Sequence, residues 1–373
     1  MRKYRQSRTL IMSDLTTNTE LSPPGRDEVV GVARGMATAV APQSGITAVQ
    51  ATILRAVTQA VTGFEIDYCA LEPLGPDELA TLLARRGMEY RHRIVHHMVL
   101  AEIVLTPLPA DVATRVASFA AALGVTDDFV RLAHHYAKGT LELAAFDLQR
   151  DGFLDRWSEE RSAPLHTEKA LADPFEDALV DTELEARWER FAALDEGSLG
   201  HAVSEMYRER GFQLPGTVGA ASAYLAQHDF VHILAGYGTR MESELEVFAL
   251  IGRADPDPKG FAWLATMIGL FETGYVAAHG PFKVNVQEHH LQLPGMDVRL
   301  ADAIRRGKVI SEHYRRDLLE VDFHELANWP VDEVREQLGI PPKSPEAIAA
   351  GSAGVFDAGG ISDFQREAGR RHT

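Results

Sequence analysis

The sequence predicts an all-α fold made of two helical parts, an N-terminal helical bundle and a C-terminal metal-binding helical domain. Apolar residues recur at three- and four-residue spacing, as in Val49, Ile53 and Val57, which is the period of an amphipathic helix. The alternation typical of half-buried strands does not appear. Proline and aspartate stand at the predicted helix starts, and glycine or proline follows the predicted ends.

The N-terminal half divides into a leader and a bundle. Residues 1–45 are rich in Ser, Thr, Pro and Gly, and we expect a flexible leader with a short helix near 27–40. Residues 46–150 form the predicted bundle. Its helices are expected from residue 47 onward and at 78–85, 91–105, 111–123 and 128–148.

A polar, proline-containing stretch at 151–175 is the predicted boundary between the two parts. The C-terminal domain then spans 176–342, and the Ala/Gly/Ser-rich segment 343–373 is predicted to be a disordered tail. Within the domain, helices are expected at 176–194, 198–207, 220–236, 241–252, 261–278, 298–307 and 331–338.

Charge and cysteine content restrict the class of function. The net charge of −17 argues against a nucleic-acid partner, because phosphate binding requires clustered lysine and arginine. Cys69 is the single cysteine, so a disulfide framework within the chain is excluded, and we expect a small buried side chain there. We predict no signal peptide or membrane span, and therefore a cytoplasmic protein that can contact the inner face of the membrane peripherally.

The chemistry is expected at His228-Asp229-x-x-His232, with Glu244 twelve residues after the second histidine. Side chains four residues apart lie on one helical face, so the two imidazoles can hold one divalent metal ion that a carboxylate completes. Asp229 lies about 100° further round the helix and is a candidate ligand, an orienting group or the catalytic proton acceptor.

The spacing alone leaves a second interpretation open, in which these residues form a buried polar cluster that ties two helices together. The pattern is not that of a metalloprotease, which carries glutamate where Asp229 stands. It also lacks the separate upstream histidine and downstream aspartate of an HD-type phosphohydrolase.

The order of four landmarks resembles the coenzyme Q (ubiquinone) biosynthesis protein 4 family. His-Asp-x-x-His with its distant glutamate is preceded by Glu196-Gly197-Ser198-Leu199-Gly200, where Asp195 replaces the family's proline. Arg305-Arg306-Gly307 follows, and Glu333-Val334-Arg335-Glu336-Gln337-Leu338-Gly339-Ile340 resembles the closing segment. The resemblance covers roughly residues 180–342 and departs from the family's pattern at 279–296.

The resemblance implies an all-α domain with a divalent ion at His228, Asp229, His232 and Glu244. Zinc is the first expectation, with magnesium, manganese, iron and cobalt left open. It implies decarboxylation and hydroxylation at one ring carbon of a prenylated aromatic quinone precursor. It also implies a role in organising the quinone-biosynthesis assembly at a membrane surface. The alternatives are a non-catalytic scaffold that binds isoprenoid lipids and quinone-biosynthesis enzymes, and a metal-dependent hydrolase on the same fold. A homodimer is a further expectation.

The remaining candidate residues are histidine pairs. His279 with Glu288-His289-His290 is expected in a solvated loop near a pocket, since adjacent histidines point about 100° apart on a helix. In His96-His97 and His134-His135, one member of each pair is expected to face the core and the other solvent.

The predicted bundle also has a faint likeness to the TerB-like fold, an interaction or scaffold module. The residues that carry it are Phe64-Glu65-Ile66-Asp67, the helix start at Leu74-Gly75-Pro76-Asp77, and the helix pair 91–105 and 111–123. Leu105-Thr106-Pro107 stands in place of that fold's acidic turn.

Overall fold

The computed structural model describes residues 24–126, 130, 163–167, 180–256, 260–268, 272–273 and 289–372. Across these ranges the chain forms α-helices, short 3-10 turns and connecting loops, and no β-sheet. The predicted all-α class is confirmed.

The N-terminal helices lie close to where periodicity predicts them. They are α1 Arg26–Val40, α2 Ala48–Thr62, α3 Pro76–Leu82, α4 Met88–Ile103 and α5 Ala110–Ala122. Thr47 caps α2 in a capping box with Gln50, whose side-chain amide also donates to the Val40 and Ala101 carbonyls at 2.8 and 3.0 Å. Apart from residue 130, the helix predicted at 128–148 falls outside the described residues.

Helix α1 corrects part of the predicted leader. Residues 26–40 form a packed helix, in which Ala33 and Val40 are completely buried and which lies against α4 and α5. The short helix expected near 27–40 is therefore present, and its apolar face completes the core of the N-terminal helices.

The described C-terminal half contains ten helices, one of which carries the histidine motif. They are α6 Thr182–Glu189, α7 Leu199–Arg210, α8 Gln227–Ala235, α9 Met241–Ala254, α10 Phe261–Met267, α11 Met296–His313, α12 Phe323–Leu326, α13 Val331–Leu338, α14 Pro345–Ala349 and α15 Asp363–His372. Most extend or shorten the predicted helices by a few residues. Of the helix predicted at 261–278, residues 261–268 and 272–273 are described, and they include α10, where Phe261 and Leu264 are buried in the core.

The long helix α11 joins the two halves. It packs extensively against α9 on one side and against α2 on the other, and Arg55 pairs with Asp297 at 3.0 Å across the second contact. One continuous apolar core includes residues of both halves. The division at 151–175 and the TerB-like assignment stay predictions, since most of that boundary is outside the described residues.

The predicted disordered tail is wrong for the described residues 343–372, which include α14 and α15. Buried Arg210 of α7 donates to the Val355 carbonyl at 2.6 Å, and the Thr239 amide donates to the Gly360 carbonyl at 2.7 Å. A Cβ on Gly238 would lie 2.4 Å from Gly360. The glycines that suggested disorder instead let two backbones approach closely.

No helix in the described part of the chain is long and apolar enough to cross a membrane.

Candidate metal centre

Helix α8 carries both histidines of the motif. It begins at Gln227 rather than at 220, after a series of turns, so His228 lies in its first turn and His232 one turn later. The Gln227 side chain donates to the carbonyls of Leu319 and Val321 at 3.2 and 3.0 Å and thereby anchors the start of the helix. His228, Asp229 and His232 are all buried.

The Glu244 carboxylate approaches both imidazoles from α9. Its Oε2 lies 3.3 Å from His232 Nε2 and 3.6 Å from His228 Nε2. Asp229 Oδ1 lies 3.6 Å from the same His228 nitrogen. One ligand atom from each of His228, Asp229 and His232 falls within 4.8 Å of the others, so the motif residues face one small volume.

Backbone carbonyls determine which ring nitrogens face that volume. His228 Nδ1 is hydrogen-bonded to the Leu225 carbonyl, and His232 Nδ1 lies 3.2 Å from the Tyr237 carbonyl. A carbonyl only accepts, so each Nδ1 carries a proton and each Nε2 is the ring nitrogen that faces Glu244, where it can donate to the carboxylate or, once deprotonated, ligate a metal ion. A histidine that ligates a metal is commonly oriented by such a hydrogen bond from its other nitrogen.

Asp229 has a partner that the motif does not include. The Tyr207 hydroxyl of α7 donates to Asp229 Oδ2 at 2.6 Å, which leaves Oδ1 directed toward His228. Burial, reinforced by the neighbouring carboxylate, raises the pKa of Tyr207 well above 10, so the phenol stays protonated and donates. Tyr207 lies 22 residues before Asp229, and its place in a predicted amphipathic helix gave no signal of this role.

The charges of the cluster favour a bound cation. Burial lowers the pKa of His228, but Asp229 and Glu244 outweigh that effect and raise it to about 9. Burial raises the pKa of Glu244, but His232 and His228 outweigh it and hold it below its ordinary range. Two carboxylates in a buried site therefore attract positive charge, which a proton or a metal ion can supply.

The spacing of these atoms fits the coordination shell of a divalent ion. Two ligands that each lie about 2.1 Å from a zinc ion at a tetrahedral angle are about 3.4 Å apart. The separations of Glu244 Oε2 from the two imidazole nitrogens, 3.3 and 3.6 Å, match that value. The donor set of two imidazoles and two carboxylates also suits such an ion.

The other landmarks of the sequence gather around α8. Segment 197–200 pairs with 327–331: the Leu199 and Gly200 amides donate to Trp329 and Ala327 carbonyls, each at 2.9 Å. Ser198 caps α7, the helix that presents Tyr207. The following helix α13 contacts α8 through Arg335. Segments that are far apart in the chain thus support one helix.

The remaining histidine predictions have different outcomes. His96 and His97 are both buried, because α4 is enclosed on most of its surface, and the expected exposure of one member is wrong. His97 packs against Phe261, and burial lowers its pKa to about 3. His134 and His135 lie outside the described residues.

The second polar cluster is described only in part. His289 is exposed, as a solvated loop requires, and His290 Nδ1 lies 3.4 Å from Glu242 Oε1. His279 and Glu288 lie outside the described residues. Cys69 is exposed rather than buried, because it lies in a 3-10 turn whose Asp67 side chain accepts from the Cys69 amide at 3.0 Å.

A cleft of about 570 Å³ lies near the C-terminal end of α8. Ile233, Gly236 and Arg335 line it, together with acidic side chains such as Glu205 and Asp357. None of the four predicted site residues lines it. The cleft is therefore separate from the histidine–carboxylate cluster.

Comparison with known proteins gives one distant likeness. No family model matches the chain, and no curated protein matches it. A crystal structure of a proposed ubiquinone biosynthesis protein from Nostoc punctiforme matches with 19% sequence identity and a TM-score of 0.29. The match covers 67% of this chain and 97% of that chain.

Proposed function

We propose that the chain is a divalent-metal protein whose ion is held by His228, His232 and Glu244, with Asp229 as a fourth ligand or as a proton acceptor. The observation that carries the proposal is the convergence of two imidazole Nε2 atoms on Glu244 Oε2, at 3.6 and 3.3 Å, in a buried site. A polar cluster that only tied two helices together would not need both Nδ1 atoms fixed on backbone carbonyls.

We further propose that the centre acts on a prenylated aromatic precursor of a quinone. This part rests on the four sequence landmarks and on their gathering around α8. A bound divalent ion supplies Lewis-acid stabilisation of negative charge beside it. In a decarboxylation the ring–carboxyl bond breaks, carbon dioxide leaves, and the electron pair stays on the ring carbon until that carbon takes a proton.

The protein supplies the surroundings for that chemistry. Tyr207 keeps Asp229 oriented, because its hydroxyl donates a hydrogen bond to Oδ2. Phe248 stacks on the His228 ring, with centroids 5.1 Å apart, and helps to exclude water from the cluster. A hydroxylation at the same carbon would need an additional oxidant, so decarboxylation is the step tested first.

Metal analysis tests the ligand assignment. Purified wild-type protein is expected to hold about one equivalent of a divalent metal, with zinc first among the candidates, and His232→Ala is expected to lose it. His313→Ala removes an exposed histidine and is the matched control. Equal metal content in wild type and His232→Ala would remove the basis of the proposal.

Quinone analysis then separates an enzyme from a lipid-binding scaffold. Cells that lack the gene are supplied with wild type, His232→Ala or His313→Ala, and their quinones and carboxylated precursors are extracted. An enzyme requires that His232→Ala fails to restore the quinone and lets a carboxylated precursor accumulate. Restoration by His232→Ala at normal protein levels would instead support the scaffold.

A further inference from the structure

The C-terminal end of α8 is closed by arginine side chains. The last four carbonyls of a helix have no partner within it. Here the His232 carbonyl accepts from the Gly236 and Tyr237 amides at 2.9 and 3.0 Å. The next three carbonyls, those of Ile233, Leu234 and Ala235, accept from guanidinium groups at 3.0, 2.8 and 2.8 Å.

The two arginines come from different parts of the chain. Arg335 of α13 bonds the Ile233 and Leu234 carbonyls, and its third nitrogen pairs with Asp332 at 2.8 Å. Arg306 of α11 bonds the Ala235 carbonyl and also donates to the Pro341 carbonyl at 2.9 Å. Two positive charges at a helix C-terminus also interact favourably with the helix dipole.

Arg306 also contacts the Tyr237 ring, and the backbone of Tyr237 faces His232. The guanidinium carbon of Arg306 lies 4.9 Å from the centre of the Tyr237 ring, and the Lys343 amine lies 5.5 Å from the same ring. The backbone carbonyl of Tyr237 is the acceptor that faces His232 Nδ1 at 3.2 Å. Arg306 therefore restrains both the helix end and the group that orients the imidazole.

We infer that Arg306 and Arg335 are positioning residues of the proposed metal centre, holding the end of α8 and the Tyr237 carbonyl so that His232 Nε2 faces Glu244. The inference rests on the proposed function. Arg335 contacts the end of α8, whereas Arg306 contacts both the end of α8 and the Tyr237 ring. Replacing Arg306 is therefore expected to weaken metal binding more than replacing Arg335. Arg306 is also buried, whereas Arg335 lies partly at the surface.

Arg115 provides a matched control in the same molecule. Its guanidinium donates to the Thr38, Ala39 and Ala41 carbonyls at the end of α1, far along the chain from the histidine motif. Replacing Arg115 by glutamine removes the same kind of helix-end contact. It therefore reports what the loss of such a contact does to stability alone.

The test compares wild type, Arg306→Gln, Arg335→Gln and Arg115→Gln, each loaded with Zn²⁺ in competition with a chelator and, separately, with Co²⁺ for its visible spectrum. We expect Arg306→Gln to weaken zinc binding by about 10–100-fold and to change the cobalt spectrum. Arg335→Gln is expected to weaken binding less, and Arg115→Gln to leave affinity and spectrum unchanged. Thermal unfolding of the three variants, measured against wild type, shows whether they are destabilised to a similar extent.

If Arg306→Gln does not fold, zinc affinity and the cobalt spectrum are measured on Arg306→Lys instead. A lysine cannot reproduce the fixed fork that reaches two carbonyls at once, so it is expected to restore stability more than affinity. Unchanged affinity and spectrum in folded Arg306→Gln or Arg306→Lys would overturn the positioning role while leaving the proposed function intact. Wild type that binds neither ion would overturn both.

Discussion

Replacing Tyr207 by phenylalanine removes a single oxygen atom from the surroundings of the site. The ring keeps its packing against Trp188 and Phe212, with centroids 5.0 and 5.5 Å apart, so the helix contacts of α7 are retained. The Oδ2 atom of Asp229 loses the donor that lies 2.6 Å away, and it remains buried.

The size of the effect follows from that loss. A hydrogen bond to a charged group contributes about 1.5–3 kcal/mol, and a buried acceptor left without a partner costs a similar amount. Without this bond Asp229 can turn away from His228. Groups that orient ligands usually change metal affinity by about 10–100-fold, which is about 1.4–2.7 kcal/mol. We expect the dissociation constant of Tyr207→Phe for Zn²⁺ to rise by that factor.

Competition with a chromogenic chelator measures this dissociation constant. Tyr68→Phe is the matched control, because Tyr68 is also buried and its hydroxyl bonds Thr58 in the N-terminal helices. It should lose stability without losing metal affinity. A dissociation constant within twofold of wild type for folded Tyr207→Phe would refute the idea that Tyr207 orients a ligand.

Two further predictions concern stability. Among the described residues, both Glu102 carboxylate oxygens are buried without a hydrogen-bond partner, and burial raises the pKa of this carboxyl well above 4.5. The folded chain therefore keeps a proton that the unfolded chain releases, and stability falls by up to about 1.4 kcal/mol per pH unit between the unfolded and folded pKa values. Glu102→Gln should remove this fall, so its advantage over wild type in urea unfolding should grow from pH 5 upward. Exposed Glu65→Gln should leave the fall in place, and a pH-independent difference for Glu102→Gln would contradict the assignment. Arg210→Ala should release residues 343–372 from α7, so the backbone amides of these residues should exchange hydrogen faster than in wild type. The amides of α2 should exchange at the wild-type rate. Unchanged exchange in residues 343–372 would contradict their anchoring by Arg210.

The helices and the ligand candidates could be predicted from the sequence because both depend on local spacing. The period of apolar residues located α2, α4, α5 and α13 to within a few residues. The spacing of His228 and His232 placed both on one helical face, and the distances now connect them with Glu244. Local patterns are informative here because a helix is stabilised by contacts between residues three and four apart.

Composition was misleading where long-range packing decides the structure. Ala, Gly and Ser in 343–373 suggested disorder, yet the glycines are small enough to lie against other backbone segments. Cys69 was expected to be buried because free cysteines usually are, but a local turn exposes it. The order of the glycine-rich segment and the exposure of Cys69 cannot be predicted from residue type alone, since each depends on the neighbouring residues in the fold.

The side chains that hold helix α8 in place could not be predicted from the sequence for the same reason. Helix α8 has nine residues, about 14 Å at 1.5 Å per residue, which is too short to be stable alone. Its two ends must therefore be held by other segments. At the start, the Gln227 side chain donates to carbonyls more than ninety residues later in the chain. At the end, Arg306 and Arg335 donate to carbonyls that lie 71 and about a hundred residues before them. The motif supplies the ligands, and the geometry in which they meet depends on these distant contacts.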